Sequence, residues 1–166
     1  MKAKVERMKV NVGVYCLRDG RKVILRYVRI SDLNEIYEIE RLSFKYPYPY
    51  SLLYTLARTY QDTFIVAEHN GRVVGYVIAS LREHGIGHIL NIAVHPDYRR
   101  KGLGLILMNT IMNILKDKGA RIFRLEVAVS NIPAKNLYEK LGFRVQCRIK
   151  DYYEDGEDCY VMMKYC

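Results

Sequence analysis

Several features are scarce in this sequence. No apolar run approaches the roughly 20 residues that a helix needs to cross a bilayer, and no apolar stretch follows the basic start at residues 1–8 as in a signal peptide. The cysteines include no Cys-x-x-Cys pair, which argues against a zinc ribbon or a thioredoxin-like site. We therefore expect a cytoplasmic, soluble protein with reduced thiols at Cys16, Cys147, Cys159 and Cys166.

The composition favours one globular domain. The chain has 166 residues, of which 50% are hydrophobic and 27% are charged, a balance that supports a core and argues against disorder. The net charge of +9 indicates an acidic partner. Nucleic acid, an acidic protein surface and a phosphorylated cofactor all fit that charge, and a generally basic cell or a ribosome-rich environment explains it equally well.

A boundary between an N-terminal segment and the main domain is predicted at Val23. Residues 1–22 are basic and weakly periodic, which predicts an N-terminal arm or a short extra hairpin, and residues 23–166 form the main domain. A strand at 23–28 is followed by a helix at 33–42, an aromatic loop with two prolines, and a second helix from Ser51 to about residue 61. Strands at 64–68 and 73–81 flank Asn70-Gly71, a strong hairpin signal.

The second half alternates strands and helices. We predict a strand at 88–94, a helix at 105–118, a strand at 122–129, and a short helix that Ser130 caps and Gly142 ends. Strands at 143–150 and 159–164 form a closing hairpin. The predicted fold is therefore α/β, with a mixed sheet and helices on both faces.

One basic, glycine-containing turn is suited to binding an anion. Arg99-Arg100-Lys101-Gly102-Leu103-Gly104 lies between a predicted strand and a predicted helix, where free N–H groups and the helix dipole favour negative charge. The turn could hold a pyrophosphate, although an ordinary basic loop fits equally well. Because it matches neither the nucleotide P-loop nor the three-glycine dinucleotide motif, ATP and NAD are disfavoured.

This turn resembles the acetyl-CoA turn of the GNAT acetyltransferases, Arg/Gln-x-x-Gly-x-Gly/Ala. A second family feature is similar to the stretch from Ser130-Asn131 through Leu137-Tyr138 to Gly142-Phe143, in the correct order and spacing. The resemblance covers residues 25–163 and implies a mostly antiparallel, twisted sheet with a splayed parallel strand pair that holds acetyl-CoA. The positions it assigns to the acetyl-CoA site are Ile92, Ala93, Val94, Arg99, Arg100, Lys101, Gly102, Leu103, Gly104, Leu105, Asn131 and Tyr138.

Three stretches resemble one branch of that family, the ribosomal-protein alanine N-acetyltransferases of bacteria and archaea. They are the loop at 40–48, the strand at 125–131 and the hairpin at 151–158. The resemblance implies that Tyr48 and Tyr153 contact a substrate peptide and that Glu126 is the general base. The likeness is imperfect, because Tyr48 stands where that branch often has tryptophan and the arm is extra.

The residue types are chemically consistent with the roles that the resemblance implies. An attacking amine must lose a proton, which Glu126 could accept directly or through water, and a leaving thiolate could take a proton from Tyr138. A weaker hypothesis is that His88 helps Glu126 to hold water or to deprotonate the amine. Without the resemblance, Glu126 could equally lie on a solvated face, Tyr138 in the core, and His88 in a structural role. We expect no metal, since no three-ligand spacing is present.

We therefore expect an acetyl-CoA-dependent N-terminal α-amino acetyltransferase of proteins or peptides. Its expected partners are protein N-termini and a ribosome or ribosomal protein, with no membrane and no sequence-specific nucleic acid. The alternatives are acetylation of lysine side chains or a small amine, and a non-catalytic acyl-CoA-binding or ribosome-associated module.

Overall fold

Eight strands form one sheet in the computed structural model, which describes residues 11–166. The strands are β1 (Asn11–Cys16), β2 (Lys22–Tyr27), β3 (Phe64–His69), β4 (Arg72–Arg82), β5 (Ile86–Val94), β6 (Ile122–Ala128), β7 (Arg144–Ile149) and β8 (Cys159–Tyr165). Their order across the sheet is β1-β2-β3-β4-β5-β6-β8-β7. All neighbours are antiparallel except β5 and β6, which are parallel.

Four helices cover the sheet: α1 (Leu33–Ser43), α2 (Tyr50–Thr59), α3 (Leu103–Asp117) and α4 (Ile132–Lys140). Short 3-10 turns lie at Ile30–Asp32, Glu83–Gly85 and Pro96–Tyr98. Within residues 11–166, none of the helices is long and apolar enough to cross a membrane.

The core has two parts because the central strands are buried on both faces. In β3, Phe64 and Val66 pack on one face with α1 and α2, whereas Ile65 and Ala67 pack on the other face with α3. Successive side chains of a strand point to opposite faces, so a run of consecutive apolar residues is what such a strand requires. The mixed α/β fold expected from the sequence is confirmed.

The parallel pair separates after three residues. Ile86, Gly87 and His88 of β5 pair with residues 122–124 of β6, and no further pairs join the two described strands. Beyond His88, β5 stays paired with β4, while β6 stays paired with β8. The sheet therefore opens into a gap between β5 and β6, as the resemblance implied.

Residues 11–22 add a strand to the sheet. β1 pairs with β2 along most of its length, and Leu17 in the turn between them is buried in the core. β1 and β2 form a hairpin that crosses the predicted boundary at Val23, and residues 1–10 of the predicted arm lie outside the described residues.

Two local predictions need correction. Asn131, not Ser130, caps α4, since its side chain accepts a hydrogen bond from the backbone N–H of Ala134. α3 begins at Leu103, earlier than predicted, because Gly102 supplies the left-handed turn (φ +90°) that reverses the chain before the helix. The glycine turn therefore lies directly against the free N–H groups of the first helical turn.

Candidate active site

A cavity of about 630 Å³ occupies the gap between β5 and β6. Its walls come from the loop between α1 and α2, from β5 and β6, from the start of α4 and from the β7–β8 hairpin. Six of the residues predicted for the site line it: Tyr48, Ile92, Glu126, Asn131, Tyr138 and Tyr153. The fold thus brings together residues that are far apart in the chain.

Glu126 and His88 form a close pair at this cavity. Nε2 of His88 lies 2.6 Å from Oε2 of Glu126, and Nε of Arg124 donates to Oε1 of the same carboxylate at 3.0 Å. The side chains of His88 and Glu126 are only 10% and 13% exposed, so Glu126 does not lie on a solvated face. His88 does not itself line the cavity and reaches it through Glu126.

Glu126 is held as a carboxylate. Burial raises its pKa, but the hydrogen bonds and positive charges of His88 and Arg124 outweigh burial, and the net pKa lies below its ordinary value. A carboxylate can only accept, so Nε2 of His88 donates to it. Nδ1 of His88 is buried and has no hydrogen-bond partner among residues 11–166.

Tyr138 is both a core residue and a residue of the cavity wall. It belongs to the hydrophobic core, where its ring packs edge-on against Phe143, and it also lines the cavity. Burial raises the pKa of Tyr138 to about 12. The phenol is therefore protonated at neutral pH and can act only as a proton donor to a reacting group.

The cavity opening lies between two aromatic segments. Tyr48 lies in the α1–α2 loop, and its hydroxyl donates to the backbone carbonyl of Leu90 at 3.4 Å. Tyr152 and Tyr153 come from the β7–β8 hairpin and pack edge to face. An ion pair between the loop and the hairpin, Lys45 Nζ to Asp155 Oδ2 at 3.4 Å, joins the two segments.

The backbone of β5 presents N–H groups to the gap. The N–H of His95 donates to the carbonyl of Val74 at 2.8 Å, so the N–H groups of Ala93 and Asn91 face β4 in the same way. Antiparallel pairing alternates strictly, so the N–H groups of Ile92 and Val94 point away from β4, toward β6. The N–H of Val94 can donate to an acyl or pantetheine group lying in the gap, whereas the N–H of Ile92 donates to Oδ1 of Asn91 at 3.1 Å.

The basic turn lies at the end of β5, outside the cavity wall. Gly104 leaves room beside α4, because a Cβ there would come within 3.3 Å of Leu137. Arg100 and Lys101 lie next to the first turn of α3, which can bind an anion. Arg99 instead turns back, donating to the carbonyl of Val94 and to Ser43 Oγ. The sequence could not show that Arg99 ties the turn to α1.

Acetyl-CoA fits this combination of features. The open strand pair offers backbone donors for the pantetheine arm, and the glycine turn with its helix N-terminus offers donors for the pyrophosphate. Among residues 11–166, no cluster of three or more metal-ligating side chains occurs.

Sequence reasoning missed Glu40. This glutamate of α1 lines the cavity, is 1% exposed, and accepts hydrogen bonds from Tyr48, Tyr76 and Asn91. Its position in the sequence could have indicated this role, because Leu33, Ile36 and Glu40 share one helical face. A charged residue on an apolar helical face is expected to be buried with hydrogen-bond partners.

Comparison with known proteins identifies the class. The sequence model of the Acetyltransferase (GNAT) family matches residues 33–143, more than half of the chain, so the chain belongs to this family. An N-alpha-acetyltransferase of Sulfurisphaera tokodaii is 38% identical over 158 residues, covering 87% of this chain and 94% of the relative. A putative ribosomal protein bS18-alanine N-acetyltransferase of Bacillus subtilis is 37% identical over 144 residues, covering 85% and 94%. The resemblance seen in the sequence is confirmed.

Solved structures agree with the fold. Ard1 from Thermoplasma volcanium superimposes with a TM-score of 0.83 at 29% identity, covering 86% of this chain and 97% of that structure. Naa50 of Arabidopsis thaliana, in complex with the bisubstrate analogue CoA-Ac-MVNAL, superimposes with a TM-score of 0.77 at 26% identity, covering 87% and 99%.

Proposed function

We propose that this acetyltransferase transfers the acetyl group of acetyl-CoA directly to the N-terminal α-amino group of proteins or peptides. The observation that carries the proposal is the cavity itself. Its wall contains Glu126, Tyr138 and residues of β5, together with tyrosines from the α1–α2 loop and the β7–β8 hairpin. The relatives named N-alpha-acetyltransferase, and the relative bound to a CoA–peptide analogue, support the same reaction.

The proposed cosubstrate site follows the gap from the cavity to the basic turn. Ile92, Ala93 and Val94 contribute backbone groups along β5, and the turn from Arg99 to Leu105 contributes the N–H groups of α3 and cationic side chains. Asn131 and Tyr138 line the opposite wall. Acetyl-CoA supplies an acyl group activated as a thioester.

The side chains then act in a fixed order. Glu126, oriented by His88 and Arg124, accepts the proton of the amine directly or through water, as the amine nitrogen bonds to the carbonyl carbon. A backbone N–H of β5 that faces the gap can donate to the carbonyl oxygen as negative charge develops there. Tyr138 protonates the sulfur as the carbon–sulfur bond breaks, so no covalent enzyme intermediate is needed.

The acid–base geometry favours an α-amine over a lysine side chain. The pKa of Glu126 is lowered, so this carboxylate is a weak base. An α-amino group has a pKa of about 7.7–8.0 and is roughly one tenth unprotonated near neutrality, whereas lysine, with a pKa of about 10.4, is almost fully protonated. A weak base therefore favours the first substrate over the second.

The aromatic segments are the proposed peptide site. Tyr48 and Tyr153 flank the cavity opening, and burial raises the pKa of both phenols, which keeps their hydroxyls protonated as donors. The Lys45–Asp155 ion pair links the two segments beside the proposed peptide site. A short extended N-terminus would lie between them with its amine near Glu126.

The proposed setting is the cytoplasm, with nascent or ribosomal proteins as substrates. A net charge of +9, four free thiols and the homologue named for ribosomal protein bS18 support this setting. Sedimentation with purified ribosomes at low salt, lost at high salt, is the expected result. Failure to sediment at low salt would contradict the ribosomal association and leave the chemistry unaffected.

A matched peptide pair tests the function. Each peptide contains one internal lysine and carries either a free or a formylated N-terminus, and mass spectrometry locates the added acetyl group. We expect acetylation of the free peptide at its α-amine and none of the formylated one. Equal labelling of lysine in both peptides would move the function to side-chain acetylation.

A further inference from the structure

Glu40 accepts hydrogen bonds from three separate parts of the active-site wall. Its Oε1 accepts from the backbone N–H of Tyr48 in the peptide loop at 2.8 Å. Its Oε2 accepts from Asn91 Nδ2 of β5 at 2.9 Å and from the hydroxyl of Tyr76 of β4. Burial, the largest influence, raises the pKa of Glu40, and these hydrogen bonds oppose that effect. All three partners donate, so the arrangement requires an acceptor at both oxygens.

Asn91 carries this requirement to the acetyl-binding strand. Because its Nδ2 donates to Glu40, its Oδ1 faces the other way and accepts the N–H of Ile92 at 3.1 Å. Ile92 is the residue whose N–H points into the gap between β5 and β6. The carboxylate of Glu40 therefore fixes the peptide loop through Tyr48 and the Ile92 N–H through Asn91.

We propose that Glu40 is a positioning residue that aligns the peptide loop with the acetyl-binding strand, by imposing one orientation on the Asn91 side-chain amide. The inference rests on the proposed function and adds a residue that acts through Tyr48 and Asn91 rather than on the reacting atoms. Activity then depends on the direction of the hydrogen bonds at Glu40 and not on the volume of its side chain.

Glu40→Gln separates these two requirements. The glutamine has nearly the same shape, but its NH2 group faces Nδ2 of Asn91, donor against donor. Asn91 must flip its amide to recover the contact, which removes the acceptor from the N–H of Ile92. Asn91→Asp fails for the opposite reason, since it sets two carboxylates against each other.

The double variant Glu40→Gln/Asn91→Asp restores the pattern. The new amide donates to the new carboxylate, whose second oxygen accepts the N–H of Ile92, and the glutamine oxygen still accepts from Tyr48. The Tyr76 hydroxyl can rotate to accept from the glutamine amide. The acid and the amide have simply exchanged places, so the direction of the hydrogen bonds at Ile92 and Tyr48 is unchanged.

The test compares the two single variants with the double variant. We expect each single variant to lose about tenfold or more in kcat/KM for a free N-terminal peptide, and the double variant to return to within about threefold of the parent. Glu35→Gln is the matched control, since it makes the same change on α1 at a residue that contacts Val73 and does not line the cavity. We expect it to leave kcat/KM unchanged.

Losses that multiply in the double variant, or a Glu40→Gln variant as active as the parent, would overturn the proposal. A merely structural role would lower the melting temperature in both single variants and lower it further in the double. The amide signal of Ile92 in a proton–nitrogen correlation spectrum gives a readout that does not need activity. It should shift in Glu40→Gln and return in the double variant even if the true substrate is another amine, whereas an unmoved signal would refute the inference.

Discussion

Removing the base by Glu126→Gln should produce a defect that shrinks as the pH rises. The substitution keeps the size of the side chain but removes the proton acceptor that His88 and Arg124 orient at 2.6 and 3.0 Å. If Glu126 deprotonates the α-amine, the variant depends on amine that solvent has already deprotonated. Its rate must then follow the titration of the substrate.

The size of the expected defect follows from the typical contribution of a general base and from the pKa of the α-amine. General bases contribute about 10²- to 10⁴-fold, and the lower end applies here because an α-amine is a comparatively acidic substrate. With an amine pKa of about 8, the unprotonated fraction rises from roughly one tenth at pH 7 to roughly nine tenths at pH 9. We therefore expect kcat/KM to fall about 100-fold at pH 7 and only about tenfold at pH 9.

The assay should quantify acetylated peptide by mass spectrometry between pH 6.5 and 9.5, because the free cysteines of the protein would react with thiol reagents. Glu38→Gln, an exposed carboxylate paired with Arg72, is the control. A defect that stays constant across the pH range would show that Glu126 only positions the substrate. An unchanged rate at pH 7 would remove Glu126 from the mechanism.

Three further predictions follow. Tyr138→Phe should lower kcat about ten- to hundredfold with little change in the dissociation constant for CoA. The expected loss is moderate because a thiolate is a good leaving group and depends less on a proton donor than most leaving groups do. An unchanged kcat would exclude Tyr138 as the acid. Gly102→Ala should raise the KM for acetyl-CoA several-fold, because its φ of +90° costs a Cβ-bearing residue about 1–2 kcal/mol. Gly20→Ala, at φ +89° in an open turn, is the control and should leave that KM unchanged. Equal KM values for the two variants would place the cofactor elsewhere. Arg26→Met removes the ion-pair partner of the buried Asp32 and should lower the free energy of unfolding by about 3–5 kcal/mol. The melting temperature should fall by about 10 °C while the KM values stay unchanged, and a melting temperature within about 2 °C of the parent would contradict this.

The sequence predicted most of the fold because its turns and helix ends carry strong local signals. Asn70 and Gly71 adopt the positive φ values of a tight hairpin, and Gly119 and Gly142 adopt those of a helix end. These positions are set by backbone sterics within a few residues, which a sequence displays directly. The cap of α4 was misplaced by one residue, because Ser130 and Asn131 are both good caps and only the tertiary path of the chain selects between them.

The candidate site was only partly predictable, because its contacts join residues distant in sequence. The sequence suggested that His88 assists Glu126, but their 2.6 Å contact depends on where the parallel strands part. The Arg99 side chain turned out to bind Ser43 of α1, and the buried role of Glu40 depends on partners from three elements. Such long-range pairs leave no periodic pattern in a single sequence.

The most direct test of the central claim uses one peptide that carries both a free α-amine and an internal lysine. The peptide is incubated with acetyl-CoA and the enzyme at pH 7.5, and fragment masses locate the first acetyl group after subtraction of the reaction without enzyme. We expect enzyme-dependent acetylation to fall on the α-amine and to depend on Glu126. Enzyme-dependent acetylation of the lysine in preference to the α-amine would contradict it.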